Sequence, residues 1–67
     1  MKKRSVTLKG HRTSITLEAE FWAVLERILQ KRGGSLQKLV EEIDATRGGR
    51  NLSSAVRVFI LEHKADA

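Results

Sequence analysis

Between Arg12 and Leu17 the chain alternates polar and apolar residues, and from Glu18 onward the apolar spacing changes from two to about 3.6 residues. Thr13, Ile15 and Leu17 share one side of the alternating segment, and Arg12, Ser14 and Thr16 share the other. β-Branched residues dominate it, so it reads as a strand with one buried face. A lone strand cannot satisfy its own backbone donors and acceptors, so this one needs a partner. Two partners are open. Ser5 to Leu8 alternates weakly, with Val6 and Leu8 on one side, and can fold back through Gly10 as a hairpin. A second copy of the chain can instead supply the equivalent strand, antiparallel about a two-fold axis. The second copy is the favoured reading, and it leaves the N-terminal stretch as an arm.

Helical spacing follows. Phe21, Leu25, Ile28 and Leu29 stack on one side of a helix expected from about Glu18 to Lys31, and Trp22 widens that stripe. Glu18 and Glu20 at its start and Lys31 and Arg32 at its end suit the helix dipole, and Gly33 and Gly34 stop it. Ser35 is a good N-cap for a second helix with Leu36, Leu39, Val40 and Ile43 on its apolar face, ending near Asp44 or Ala45. Thr46 to Asn51 carries two adjacent glycines between two arginines and reads as a loop. Ser53 then caps a third helix with Ala55, Val56, Phe59 and Ile60 on its stripe and Leu52 packing at its start, and the last few residues fray. No internal repeat or low-complexity segment stands out.

A chain of 67 residues is one domain, and a domain near that size buries only about 60% of the surface its unfolded chain exposes. The usual remedies are disulfides, a structural metal or oligomerisation. There is no cysteine, and the two histidines, His11 and His63, lie at opposite ends, so neither a metal site nor a cofactor site is expected. Oligomerisation is left, in agreement with a borrowed strand. An enzyme is not expected either. No histidine sits near a serine and an acid, the carboxylates lie on helix faces or in first turns, and so small a chain has no deep pocket. The chain has neither an apolar run long enough to span a bilayer nor the core of a signal peptide, so a cytoplasmic protein with no membrane partner is expected.

Lys2, Lys3, Arg4, Lys9 and Arg12 carry the whole net charge of +5, and beyond them eight basic residues balance eight acidic ones. A neutral body with a positive arm suits a polyanion, nucleic acid first and an anionic membrane surface second. Alone, such a run is usually a solubilising tail. Beside a strand pair it is placed to neutralise phosphates. His11 reads as a DNA contact or a plain surface residue, and His63 as incidental. Phe21, Trp22 and Phe59 read as packing residues, because no basic residues interleave them as a base-stacking platform requires. Arg47 and Arg50 around Gly48-Gly49 lack the lysine-serine ending of a P-loop and follow a helix, so they mark a solvated loop.

Arg12-Thr13-Ser14-Ile15-Thr16-Leu17 feeding one helix, then Gly33-Gly34-Ser35-Leu36 opening a second, resembles the ribbon-helix-helix DNA-binding proteins. More narrowly, Gly10-His11-Arg12-Thr13-Ser14, Phe21-Trp22 and Gly49-Arg50-Asn51-Leu52-Ser53-Ser54-Ala55 look like a family of short bacterial ribbon-helix-helix proteins. The resemblance implies a mostly α chain with one short β-strand, forming an intertwined homodimer around an intermolecular two-stranded antiparallel ribbon, with an additional C-terminal helix. It implies a basic N-terminal arm at 1–11, a ribbon-helix-helix domain at 12–45, and a loop and C-terminal helix at 46–67 packed on the same domain. In the family the ribbon enters the major groove and its outward residues read bases, by position Arg12, Ser14 and Thr16. Phosphates fall to the second helix's start at Gly34, Ser35 and Leu36, and to Lys2, Lys3, Arg4, Lys9 and His11. The dimer core falls to Ile15, Leu17, Phe21, Leu25, Leu39, Val40 and Ile43. Two features depart from the family pattern: Glu18 stands where many members start the first helix with proline, and a third helix is added.

The function expected is sequence-specific binding of double-stranded DNA by a homodimer, of higher order on DNA where sites adjoin, acting as a transcriptional regulator and a repressor rather than an activator. The third helix is expected to extend the dimer or to bind a protein partner. One alternative is an antitoxin, although the few residues left after the third helix are short for wrapping a toxin. Another is a protein-interaction or dimerisation module whose basic arm has no specific DNA target.

Overall fold

A computed structural model describes residues 1–66. Its order is β1 (Lys2–Leu8), β2 (His11–Leu17), α1 (Ala19–Arg32), α2 (Leu36–Thr46), α3 (Leu52–His63) and a short 3-10 turn at Lys64–Asp66. The ribbon followed by two helices, and the added third helix, follow the expected order. Within the chain the strand paired with β2 is β1, where a second copy was expected to supply it. β1 pairs with β2 antiparallel inside one chain, from Lys2 opposite Leu17 to Leu8 opposite His11. The chain therefore has two strands where one was expected, and most of the expected arm is β1.

The physical reason lies in the turn and in Trp22. Lys9 (φ 53°) and Gly10 (φ 80°) both adopt positive φ, giving a two-residue turn whose twist matches that of the flanking strands. Trp22, buried on α1, donates its indole N–H to the Lys2 carbonyl at 3.0 Å and so pins the far end of β1 to the body. Arg4 lies over the same ring, 4.6 Å from its centroid, and pairs with Glu26 at 2.8 Å. Lys2 and Arg4 thus occupy inward positions of β1 without a bare charge being buried, because their stems cover α1 while their heads stay wet.

All three helices pack on the inward face of the hairpin. Val6, Ile15 and Leu17 from the ribbon meet Trp22 and Leu25 of α1, Leu39, Val40 and Ile43 of α2, and Leu52, Ala55, Val56 and Ile60 of α3. Of the residues assigned to a dimer core, Ile15, Leu17, Leu25, Leu39, Val40 and Ile43 are buried inside a single chain, and Phe21 is half-buried at its margin. Among the described residues the only large apolar side chains left exposed are Met1 and Leu61. The radius of gyration, 11.1 Å, is close to the roughly 11 Å of a compact domain this long.

Helix boundaries follow local chemistry. The Ser35 hydroxyl accepts from the Lys38 N–H at 3.2 Å and caps α2. The cap of α3 is Asn51, whose side-chain oxygen accepts from the Ser54 N–H at 2.8 Å, not Ser53. Ser53 is drawn elsewhere: its hydroxyl accepts from the Thr16 N–H on β2. Placing the cap at Asn51 brings Leu52 inside the helix, where it is buried. Thr46 still belongs to α2, and the loop begins at Arg47, held by Asp44 at 2.7 Å. The 3-10 turn continues α3 where fraying was expected.

Candidate nucleic-acid interface

Strand alternation divides the hairpin. Lys2, Arg4, Val6, Leu8, His11, Thr13, Ile15 and Leu17 point toward the helices; Lys3, Ser5, Thr7, Arg12, Ser14 and Thr16 point away. Arg12, Ser14 and Thr16 thus lie together on the outward face. Arg12 and Ser14 are exposed, and Thr16 is half-buried beside α3. Beside them on the same face stand three residues that a one-strand reading left out of the base-reading set: Lys3 opposite Thr16, Ser5 opposite Ser14, and Thr7 opposite Arg12. This face has two cations, four hydroxyls and no acid. Among the described residues, no hydrogen bond or ion pair engages any of its six side chains; the contacts made by Thr7 and Thr16 are backbone ones.

Each edge of the ribbon is covered at one point by a helix. On the β1 edge, the Gln37 side chain accepts from the Thr7 N–H at 3.1 Å and donates to the Thr7 carbonyl. On the β2 edge, the Thr16 N–H donates to the Ser53 hydroxyl at 3.2 Å, and Arg57 donates to the Thr16 carbonyl at 3.4 Å. Gln37 and Ser53 are each the second residue of their helix, so the starts of α2 and α3 flank the ribbon on opposite sides. The α2 start contains the expected phosphate residues: Gly34 and Ser35 are exposed and Leu36 is half-buried.

The expected phosphate contacts within the first eleven residues separate into three places. Lys3 joins the outward face, and Lys9 is exposed on the turn. Lys2 and Arg4 are inward, Arg4 held by Trp22 and Glu26. His11 starts β2 on the inward side, at a shallow dent also lined by Asp44, Arg47 and Leu52. His63 stacks on Phe59 with ring centroids 4.0 Å apart, away from the ribbon. Arg57 also binds Glu18 at 3.1 Å, tying α3 to the junction of β2 and α1. Glu18's own backbone N–H, and then the Arg57 guanidinium, hold the Glu18 carboxyl below the usual carboxylate range.

Two antiparallel strands with a polar outer face, backed by helices, are dimensioned for the major groove, whose width of about 12 Å admits a β-ribbon. A family model described as "Ribbon-helix-helix domain" matches residues 1–64. The chain belongs to the ribbon-helix-helix domain family. Ribbon-helix-helix domains are, as a family, DNA-binding regulators. Comparison with curated proteins and with solved structures finds no match. Among the described residues no helix of this ribbon-helix-helix chain is long and apolar enough to cross a membrane.

Proposed function

We propose that the protein is a transcriptional regulator, acting as a repressor, that binds double-stranded DNA sequence-specifically by inserting the outward face of its ribbon into the major groove. The observation that carries this reading is the outward face itself. Its side chains are polar and positive on balance, have no hydrogen-bond or ion-pair partner among the described residues, and sit on a two-stranded element backed by helices. Arg12 is suited to guanine, whose O6 and N7 accept both arms of a guanidinium, while Ser14 and Thr16 can bond several base edges. Lys3 and Lys9 add attraction to phosphates that is indifferent to sequence. The α2 start fits a phosphate beside the groove: Ser35 takes the Lys38 N–H, leaving those of Leu36 and Gln37 at the positive end of the dipole. Ribbon-helix-helix domains dimerise in general, so the unit expected on the duplex is a homodimer.

Selection of duplexes from a random library, followed by binding titrations, tests this reading. The wild type is expected to enrich a defined element, with affinity falling by roughly 0.9 log units per log unit of salt for each phosphate contacted. Replacing Arg12, Ser14 and Thr16 together by alanine is expected to abolish preference for that element while general DNA binding persists. Unchanged preference in the triple variant would remove the ribbon from the reading role.

A further inference from the structure

A cleft of about 610 Å³ opens between the ends of α1 and α2, the α2–α3 loop and α3, and no ribbon residue lines it. That volume falls within the range of about 300–1,000 Å³ in which small-molecule sites lie. Its apolar lining is Ile43, Ala55, Val58 and Phe59. The charges around this lining are mostly matched: Arg32 pairs with Glu42 at 3.0 Å, and Arg47 with Asp44 at 2.7 Å. Arg50 is left over. No hydrogen bond or ion pair engages its side chain among the described residues, and only its backbone is held. The other unmatched charge of the lining, Glu62, stands at the opposite end of the cleft, almost three helical turns or roughly 15 Å along α3 from Leu52.

The loop that carries Arg50 is closed on itself. The Arg50 N–H donates to the Arg47 carbonyl at 3.3 Å, and the Arg47 guanidinium donates to the Arg50 carbonyl at 3.4 Å. Gly48, at φ 62°, makes the turn between them possible. Along the far wall His63 stacks on Phe59, with ring centroids 4.0 Å apart, and its ring nitrogen meets the Phe59 carbonyl at 2.8 Å. A cationic end followed by an apolar trough fits a molecule with one anionic head and a hydrocarbon body. Arg47 also lines the dent beneath the ribbon's turn, beside Lys9 and His11, so one side chain borders both spaces.

From this arrangement we infer that the cleft is an effector site for an apolar monocarboxylate, whose carboxylate pairs with the Arg50 guanidinium while its hydrocarbon body lies along Ile43, Ala55, Val58 and Phe59. A guanidinium and a carboxylate form charge-assisted bonds in a matched planar geometry, which a neutral amide or an amine cannot reproduce. The bound carboxylate also competes with Asp44 for Arg47, and so alters the wall beneath the turn that carries Lys9. Occupancy of the cleft and affinity for duplex DNA are thereby coupled, and the coupling is reciprocal. The coupling, though not the site, rests on the DNA-binding reading above.

Calorimetric titration of the intact protein with hexanoate tests the site, with hexanamide and hexylamine as its neutral and cationic counterparts. Hexanoate is expected to bind once per chain, and the two counterparts more weakly by about tenfold or more. Arg50→Ala is expected to weaken hexanoate by a similar factor, and Arg50→Lys to recover part of the loss. Arg27→Ala, which removes an exposed arginine of α1 outside the cleft, is expected to leave hexanoate binding unchanged. Arg50 and Arg27 are both exposed, so all variants are expected to melt as the wild type does. No heat of binding from hexanoate, binding that Arg50→Ala does not weaken, or an equal loss in Arg27→Ala overturns the site. With the selected duplex present, saturating hexanoate is expected to shift duplex affinity in the wild type and not in Arg50→Ala; an unchanged affinity in the wild type overturns the coupling. Failure of the wild type to enrich any duplex overturns the DNA-binding function instead, and the titrations of the protein alone still decide the site.

Discussion

Arg12→Ala isolates base reading from folding, because Arg12 contributes nothing visible to the fold. Its side chain projects from the outward face of β2, is exposed, and has no hydrogen-bond or ion-pair partner among the described residues. Truncating such a side chain changes stability by no more than about 0.5 kcal/mol. Loss of one bidentate contact to guanine costs about 1–3 kcal/mol of discrimination, which corresponds to a roughly 5- to 150-fold drop in preference. Fluorescence anisotropy on the selected duplex and on a scrambled duplex, at one fixed salt concentration, measures that ratio. The variant is expected to lose affinity mainly for the selected duplex, with its melting temperature unchanged. Lys9→Ala is the contrast: Lys9 sits on the turn, so its loss is expected to weaken both duplexes alike and to lower the salt slope by about one unit. If Arg12→Ala weakened both duplexes equally, or lowered the melting temperature, Arg12 would be an electrostatic or structural residue and the reasoning would fail.

Three further outcomes follow from the packing. Trp22→Phe keeps an aromatic ring under Arg4 but deletes the 3.0 Å bond to the Lys2 carbonyl; a loss of about 0.5–1.5 kcal/mol is expected in urea titrations, with Lys2 to Arg4 amides exchanging faster. Gly10→Ala forces an L-residue into φ 80° and is expected to cost about 1–2 kcal/mol in the same titration. Because the Glu18 carboxyl is held below its ordinary range, its pairing stabilises the fold fully above that range and the contribution is lost as pH falls through the depressed value. Glu18→Gln is therefore expected to flatten the acid limb of stability against pH, and an acid limb identical to wild type would show that the pair with Arg57 is not felt.

The elements from Arg12 to Ile43 were legible in the sequence because their periods are clean, with alternation over Arg12 to Leu17 and helical stripes in α1 and α2. β1 was not. Lys2 and Arg4 hold inward positions where an alternating strand would show apolar residues, and they are accommodated only because Trp22 and Glu26 lie beneath them. The turn hid the hairpin as well: Lys9-Gly10 lacks the asparagine or aspartate that usually marks a two-residue turn with positive φ. With β1 read as an arm, a second chain was the natural source of a partner strand, and half of the outward face went unseen. Aligning Lys3–Leu8 with Arg12–Leu17 would have revealed it. The Gln37 and Ser53 contacts to the ribbon edges were not readable, because they join residues 30 and 37 positions apart. The N-cap of α3 was misplaced for a related reason: Asn51 and Ser53 both suit the role, and only the demand of the Thr16 N–H decides between them.

The central claim, that the outward face of the ribbon meets DNA, is tested most directly by following backbone amide resonances of the intact chain during titration with the selected duplex. The account predicts the largest shifts at Lys3, Ser5, Thr7, Arg12, Ser14 and Thr16, with a flanking set at Ser35 and Leu36, and little change at Glu26 or Leu61. Shifts concentrated on α1 or on the far end of α3, with the ribbon unmoved, would contradict it.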